Sequence, residues 1–300
     1  MKHIYISLFL VSVLIGCATT PSPKHYTPKR GIAYRALELE GAHWDRTESV
    51  KVLDGIVENV SHNILTSPYE VESQKTLEII HRTILDRGFR IASIGITFGT
   101  GLTNRTLDCS DLTMVYLEVL ERFGATPRVA FTRNHIMVVL RKSERSKSML
   151  LWETTTGKKS PEQILEGSTN SAYLTPFPPE LALSAPYIEI AHKLSQEDKL
   201  AAAEACYREM IKIHPRCVTG LKSFAALLAQ ESRYAEAESF LLKAIDLDRT
   251  SPELYDFASA LYTSMGDRKR AEQMYENLVS LEWSLKKDSI GTGLSYIRNK

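Results

Sequence analysis

The feature that most constrains this chain is a recurrence in its last third. Ala203, Ala237 and Ala271 repeat at a 34-residue interval, each inside a stretch of helix-forming composition. Four residues after each comes a large side chain: Tyr207, Leu241 and Tyr275. Sixteen residues ahead of each alanine stand Tyr187, Leu221 and Tyr255, and twelve ahead stand the small residues Ala191, Ala225 and Ser259. Nine ahead are Leu194, Leu228 and Tyr262. Small residues at fixed positions let paired antiparallel helices approach closely, while the large ones fill the gaps between successive pairs. Five matched columns in three copies therefore predict a stacked helical array, and three copies are about the fewest that bury a continuous core.

These columns, with Pro215 after the first helix pair and Pro252 near the start of the third, resemble the tetratricopeptide repeat. The resemblance covers 187–285. It implies an all-α solenoid that binds a partner protein or a peptide on its concave face and has no chemistry of its own. Trp283 and the tail 286–300 are expected to cap its open end. The stretch 175–186 carries Pro176, Pro178, Pro179 and Pro186 and reads as a linker separating the repeats from everything before them.

At 300 residues the chain is long enough for about two domains, and 43% hydrophobic residues are enough to bury two cores. Lys+Arg 37 against Asp+Glu 36 leaves a net charge of +1, so no global field directs the molecule to nucleic acid. Four cysteines are too few for a disulfide framework.

The chain opens with Lys2 and His3, an uncharged run over 4–15, then Gly16 and Cys17. A bilayer core needs about 20 helical residues, so this run is too short to span one and reads as a secretory signal. Leu14-Ile15-Gly16-Cys17 resembles the lipobox of bacterial lipoproteins. That resemblance implies a signal peptide over 1–16, lipidation of Cys17 and a lipidated tether over 17–30. It also implies anchoring to a membrane of the bacterial cell envelope, on the periplasmic side of the outer membrane.

Between 31 and 174 the pattern becomes mixed α/β. Helices are expected over 49–64 and 69–85, then a Gly- and Thr-rich loop over 95–108, then Cys109. Leu112, Val115, Tyr116, Val119 and Leu120 follow helical spacing and predict a helix over 110–123, stopped by Gly124. Segments 128–131, 135–141 and 149–154 read as strands, the last two joined by a hairpin loop over 142–148.

Cys109 thus stands where a helix begins, where unpaired N–H groups and the positive end of the helix dipole favour a thiolate. A hairpin centred near Arg145 sets His135 against Thr155 and Met137 against Glu153. With period-2 alternation His135 and Glu153 then share a face, close enough for the carboxylate to orient the imidazole. Ile136, Val138, Leu140, Leu150 and Trp152 make the opposite, core-facing side. Asp108 and Asp111 flank the helix start, where carboxylates are favourable as caps.

Three strings carry a second resemblance: Leu107-Asp108-Cys109-Ser110-Asp111 running into a helix, Asn134-His135-Ile136, and Trp152-Glu153-Thr154-Thr155. In this order they resemble the transglutaminase-like branch of the papain-like superfamily. The resemblance implies an α+β papain-like domain over 31–174. It also implies Cys109 as nucleophile, His135 as general base and acid, and Glu153 as orienting carboxylate, a position usually held by Asp in transglutaminases. The Cys109 backbone N–H and the Asn104 amide are the implied oxyanion donors.

No CxxC, HExxH or His cluster is present, and the FGTGL string lacks the context of a phosphate-binding loop, so neither metal nor cofactor is expected. Cys206 and Cys217 are expected as buried thiols or as a disulfide. The sequence leads to a lipid-anchored cysteine enzyme acting on amide or acyl bonds of a peptide or protein substrate, by hydrolysis rather than transfer. The alternative is a non-enzymatic scaffold with a degenerate transglutaminase-like domain. A thiol redox sensor at Cys109 ranks third, because no resolving cysteine lies near it.

Overall fold

The computed structural model describes residues 24, 26–92, 95–133, 135–141, 149–160 and 175–298, with side chains to 286 in the last segment. The expected signal peptide, Cys17, the hairpin loop 142–148, Asn134 and the stretch 161–174 lie outside the described residues.

The first part of the chain builds helices α1 (Ile32–Gly41), α2 (Thr47–Thr66) and α3 (Gln74–Asp86) around one buried helix, α5 (Cys109–Arg122). Leu53, Ile56, Val57, Val60 and Ile64 recur on one face of α2 and are buried there. The helix expected from 69 begins only at Gln74, because the Ser73 side chain accepts from Thr76 N and caps it. Helix α1 was not singled out in the sequence. Its free N-terminal amides are met from outside: Glu118 of α5, fully buried, accepts from Gly31 N and Ala33 N and pairs with Arg122 at 2.8 Å.

The expected loop over 95–108 is partly helical. It forms α4 (Phe98–Thr103), flanked by two-residue parallel strands β1 (Arg90–Ile91) and β2 (Thr106–Leu107). Its glycines serve close packing. A Cβ on Gly99 would meet Arg46 and Glu40, and one on Gly101 would lie 2.7 Å from the Thr106 carbonyl oxygen.

An antiparallel sheet follows: β3 (Arg128–Phe131), β4 (Ile136–Arg141), β5 (Met149–Glu153) and β6 (Lys158–Lys159), in that order. Val138 faces Trp152 and Leu140 faces Leu150, the register inferred from the sequence. Ile136, Val138, Leu140, Leu150 and Trp152 join the main core, and Met137, Val139 and Leu151 form a small cluster on the other side.

The stretch expected as a linker instead packs. Phe177 exchanges two backbone hydrogen bonds with Val129, at 3.0 and 2.7 Å, and Pro179–Leu183 forms a 3-10 turn. Pro186 lies in the first turn of α6 (Ser184–Gln196), where its missing N–H has no helical partner to lose.

Three helix pairs then stack: α6 with α7 (Leu200–Ile213), α8 (Val218–Gln230) with α9 (Tyr234–Leu247), and α10 (Pro252–Ser264) with α11 (Arg268–Arg298). Ala191, Ala203, Ala225 and Ala237 are fully buried in the contacts, and Ser259 donates to the Ala271 carbonyl at 3.0 Å. The turn inside each pair uses a left-handed residue at the same repeat position: Asp198 (φ 59°), Ser232 (φ 61°) and Gly266 (φ 75°). The tail does not fold back as a cap. It continues α11, a 31-residue helix, and leaves Trp283 73% exposed. No helix among the described residues is long and apolar enough to cross a membrane.

Candidate active site

Helix α5 starts at Cys109 because a capping box fixes that start. The Asp108 side chain accepts from Ser110 N and Asp111 N, and the Asp111 side chain accepts from Asp108 N. Gly124 (φ 76°) closes the other end. Cys109 is partly exposed, and its carbonyl accepts from Thr154 Oγ1 at 3.5 Å, tying the helix start to the end of β5.

His135 immediately precedes β4 and Glu153 ends β5, so the sheet register brings them together. His135 Nε2 makes a short hydrogen bond to Glu153 Oε1, and the imidazole also hydrogen-bonds the Cys109 side chain. Glu153 is held in turn by Thr155, whose N–H and hydroxyl donate to Oε1 at 3.1 and 2.8 Å. All three sequence-predicted side chains thus meet in one place. Asn104 does not join them: it is exposed at the C-cap of α4.

The electrostatics follow from these contacts. The bond to Cys109 and the bond to Glu153 outweigh burial and push His135 up to about 10. Half-burial alone would raise the Glu153 carboxyl, but the bonds from His135 and Thr155 hold it below the usual range. The pair is therefore imidazolium and carboxylate at neutral pH, with the Cys109 sulfur alongside.

Behind the site lies a group that sequence reasoning did not assemble. Asp108, Asp111 and Glu189 place carboxylate oxygens within 4.8 Å of one another, and among the described residues they are the set that could surround one cation. Burial first, and the Asp108 charge second, push Asp111 well above the usual carboxylate range. Burial, Asp111 and Asp108 do the same to Glu189. Glu189 comes from α6, in the solenoid, and accepts from Ser110 Oγ at 3.1 Å.

A second joint was also missed. Arg133, two residues before His135, donates from Nε and Nη2 to Asp248 at 2.9 and 3.2 Å, and to Thr250 Oγ1 at 2.8 Å. Asp248 is fully buried between α9 and α10. Nothing local in the sequence signals either contact, since each partner lies far along the chain. Cys206 and Cys217 are free and buried.

No protein-family model matches the chain, and no curated protein matches its sequence. Solved structures do. The second TPR of Spaghetti (RPAP3), bound to the HSP90 peptide SRMEEVD, is 21% identical over 33% of this chain and 91% of its own, with a TM-score of 0.31. MamA is 14% identical over 78% of this chain and 91% of its own, at 0.34. Menin, in a structure that reveals its binding site for MLL protein, is 12% identical over 70% of this chain and 54% of its own, at 0.46. Scores of this size do not define a fold. The stacked helix pairs and their 34-residue columns do, and they make the last third a solenoid of tetratricopeptide type.

Proposed function

We propose that this chain is an envelope lipoprotein whose solenoid binds a protein or peptide and whose Cys109–His135–Glu153 set cleaves an amide or acyl bond in it. The carrying observation is the single contact chain from the Cys109 thiol through the His135 imidazole to the Glu153 carboxylate. The chain order of Cys109, His135 and Glu153, read from the sequence, is what supports the transglutaminase-like reading.

In this reading the Cys109 proton resides on His135. The thiolate attacks the carbonyl carbon, forming a C–S bond while the C=O π pair moves to oxygen. As that pair returns, the C–N or C–O bond breaks, His135 gives its proton to the leaving atom, and a thioester remains. Water then loses a proton to His135, attacks the thioester, and the C–S bond breaks to restore the thiolate and release the acid. Glu153 keeps the imidazole oriented and stabilises its charge throughout. Membrane attachment through lipidated Cys17 belongs to the same proposal and rests on the lipobox.

The test uses p-nitrophenyl acetate as acyl donor. The full chain is expected to release a burst of p-nitrophenolate with one acetyl group on Cys109, followed by turnover. Cys109→Ala removes the burst, and His135→Ala slows it by about 100-fold or more. Acylation of Cys109 at the same rate in the His135→Ala protein would overturn the enzyme reading.

A second reading keeps the solenoid and dispenses with the chemistry: a non-enzymatic protein-binding scaffold carrying a degenerate domain. The solenoid favours it, because stacked helix pairs present a binding surface without any reactive group. In that reading the three site residues are replaceable, and loss of function follows changes to the concave face alone.

A further inference from the structure

His214 and Asp248 stand 34 residues apart, at the same position of successive repeats. Each follows the second helix of its pair, α7 and α9, with nearly the same backbone (φ −132° and −138°), and each is buried. Both meet the turn between β3 and β4. The His214 ring centre lies 4.8 Å from that of Phe131, and Asp248 accepts the two bonds from Arg133, at 2.9 and 3.2 Å. Phe131 and Arg133 are next but one to each other, so alternate residues of the turn touch the same repeat column one repeat further on. Thr132 N–H closes the turn on the His135 carbonyl at 2.7 Å, so whatever fixes Phe131 and Arg133 also fixes His135. The nucleophile has its own tie to the solenoid: Ser110, directly after Cys109, donates to Glu189 of α6 at 3.1 Å. Nucleophile and base are thus fastened at different levels of the stack. Cys109 is tied to the first helix pair, and His135 to the boundaries of the first pair with the second and the second with the third.

We infer that the solenoid is a working part of the thiol site, and that Arg133, His214, Asp248 and Glu189 are positioning residues through which the spacing of the repeats sets where the His135 imidazole stands against Cys109. The inference rests on the thiol-site reading above and adds what holds that site in register and what regulates it. In a stacked array each repeat touches only its neighbours, and small rotations between successive pairs add up to the curvature of the whole. Glu189 belongs to the first pair and Asp248 to the boundary of the second and third, so a change in curvature moves one against the other. The bond between imidazole and thiol tolerates little of this. Hydrogen bonds weaken steeply with misalignment, and a displacement of about 1 Å in a reacting pair costs about 100-fold in rate. The paired geometry therefore belongs to one curvature of the solenoid. A partner that binds better to another curvature draws the base away from a thiol that it does not itself touch.

The experiment follows alkylation of Cys109 by iodoacetamide in the full chain at neutral pH, read by mass spectrometry. Arg133→Lys keeps the charge and loses the two-pronged grip on Asp248, while Asp248→Asn weakens the same grip from the solenoid side. Both are expected to slow alkylation at least about 5-fold, towards the His135→Ala rate, because a thiol out of register with the imidazolium keeps its proton. A joint that merely holds the parts together acts in the opposite sense, since loosening it exposes Cys109 further and speeds the reagent. The proton resonance of the His135–Glu153 hydrogen bond is also expected to shift in both variants. Phe131→Leu loses the ring contact at the other repeat boundary and is expected to slow alkylation in the same way, which keeps the inference testable if Asp248→Asn does not fold. An unshifted resonance in folded Arg133→Lys, or alkylation there at the wild-type rate or faster, overturns the inference. A wild-type rate unaltered by His135→Ala overturns the underlying thiol site instead, so the two failures are told apart.

Discussion

His135 holds its proton in the folded chain because Cys109 and Glu153 both bond to it, and this makes stability depend on pH. An unfolded histidine titrates near about 6.5, whereas the folded one titrates at about 10. The folded state therefore binds the proton more tightly between those values. The stabilisation is complete below about pH 6.5 and is lost as pH rises towards about 10. Urea unfolding of the wild type is expected to weaken across that window relative to His135→Gln, which should lack this component of the slope. His214 behaves in the opposite sense. Burial first, and Arg216 second, push it down to about 4, and its ring packs on Phe131 and Phe177. There the unfolded chain takes the proton first, so stability falls as pH drops from about 6.5 towards about 4. His214→Gln should flatten that acid limb in the same urea measurement, while parallel limbs for the two proteins would refute the assignment.

At the scale of elements, helix starts and turns carry the energetics that position the site. Asp108→Ala removes two accepted backbone hydrogen bonds at the start of α5 and is expected to cost about 1–2 kcal/mol in unfolding experiments. It should also slow iodoacetamide at Cys109, since the helix start is what presents the thiol. Gly101→Ala would set a methyl group 2.7 Å from the Thr106 carbonyl oxygen and is expected to cost about 1–3 kcal/mol by calorimetry. In the solenoid, Ser232 adopts a left-handed conformation that Gly266 supplies in the next repeat. Ser232→Gly should therefore stabilise the chain by up to about 1 kcal/mol; a drop in thermal midpoint would contradict the strain argument.

Across the whole molecule, the two parts of the chain are joined at charged and aromatic contacts rather than held apart by the proline-rich stretch. Arg133→Ala leaves the buried Asp248 with less compensation and is expected to cost about 1–3 kcal/mol. A tryptophan probe at Trp152 and far-UV circular dichroism of the helices should then lose their coincidence during urea unfolding. Coincident curves would mean that the joint does not couple the parts. Metabolic labelling with an alkyne fatty acid in a Gram-negative host should mark the full chain and leave Cys17→Ser unmarked.

What could be read from one dimension was whatever repeats locally. The 34-residue columns, the helical spacing on α5, the hairpin register and hence the shared face of His135 and Glu153 are periodic or short-range, so side-chain type and spacing suffice to state them. The capping role of Asp108 and Asp111 is local in the same way. What could not be read depends on partners tens to more than a hundred residues apart: Glu118 capping α1, Glu189 meeting Ser110, and Arg133 meeting Asp248. The six-residue helix α4 escaped notice because glycines that look permissive in a string are required by close approach of backbone and side chains from elsewhere. The exposure of Trp283 on α11 is likewise a matter of packing, since nothing in its neighbourhood along the chain marks it as uncovered. Periodicity is written along the chain, but long-range pairing is set by how packed elements meet, and single residues carry no mark of it.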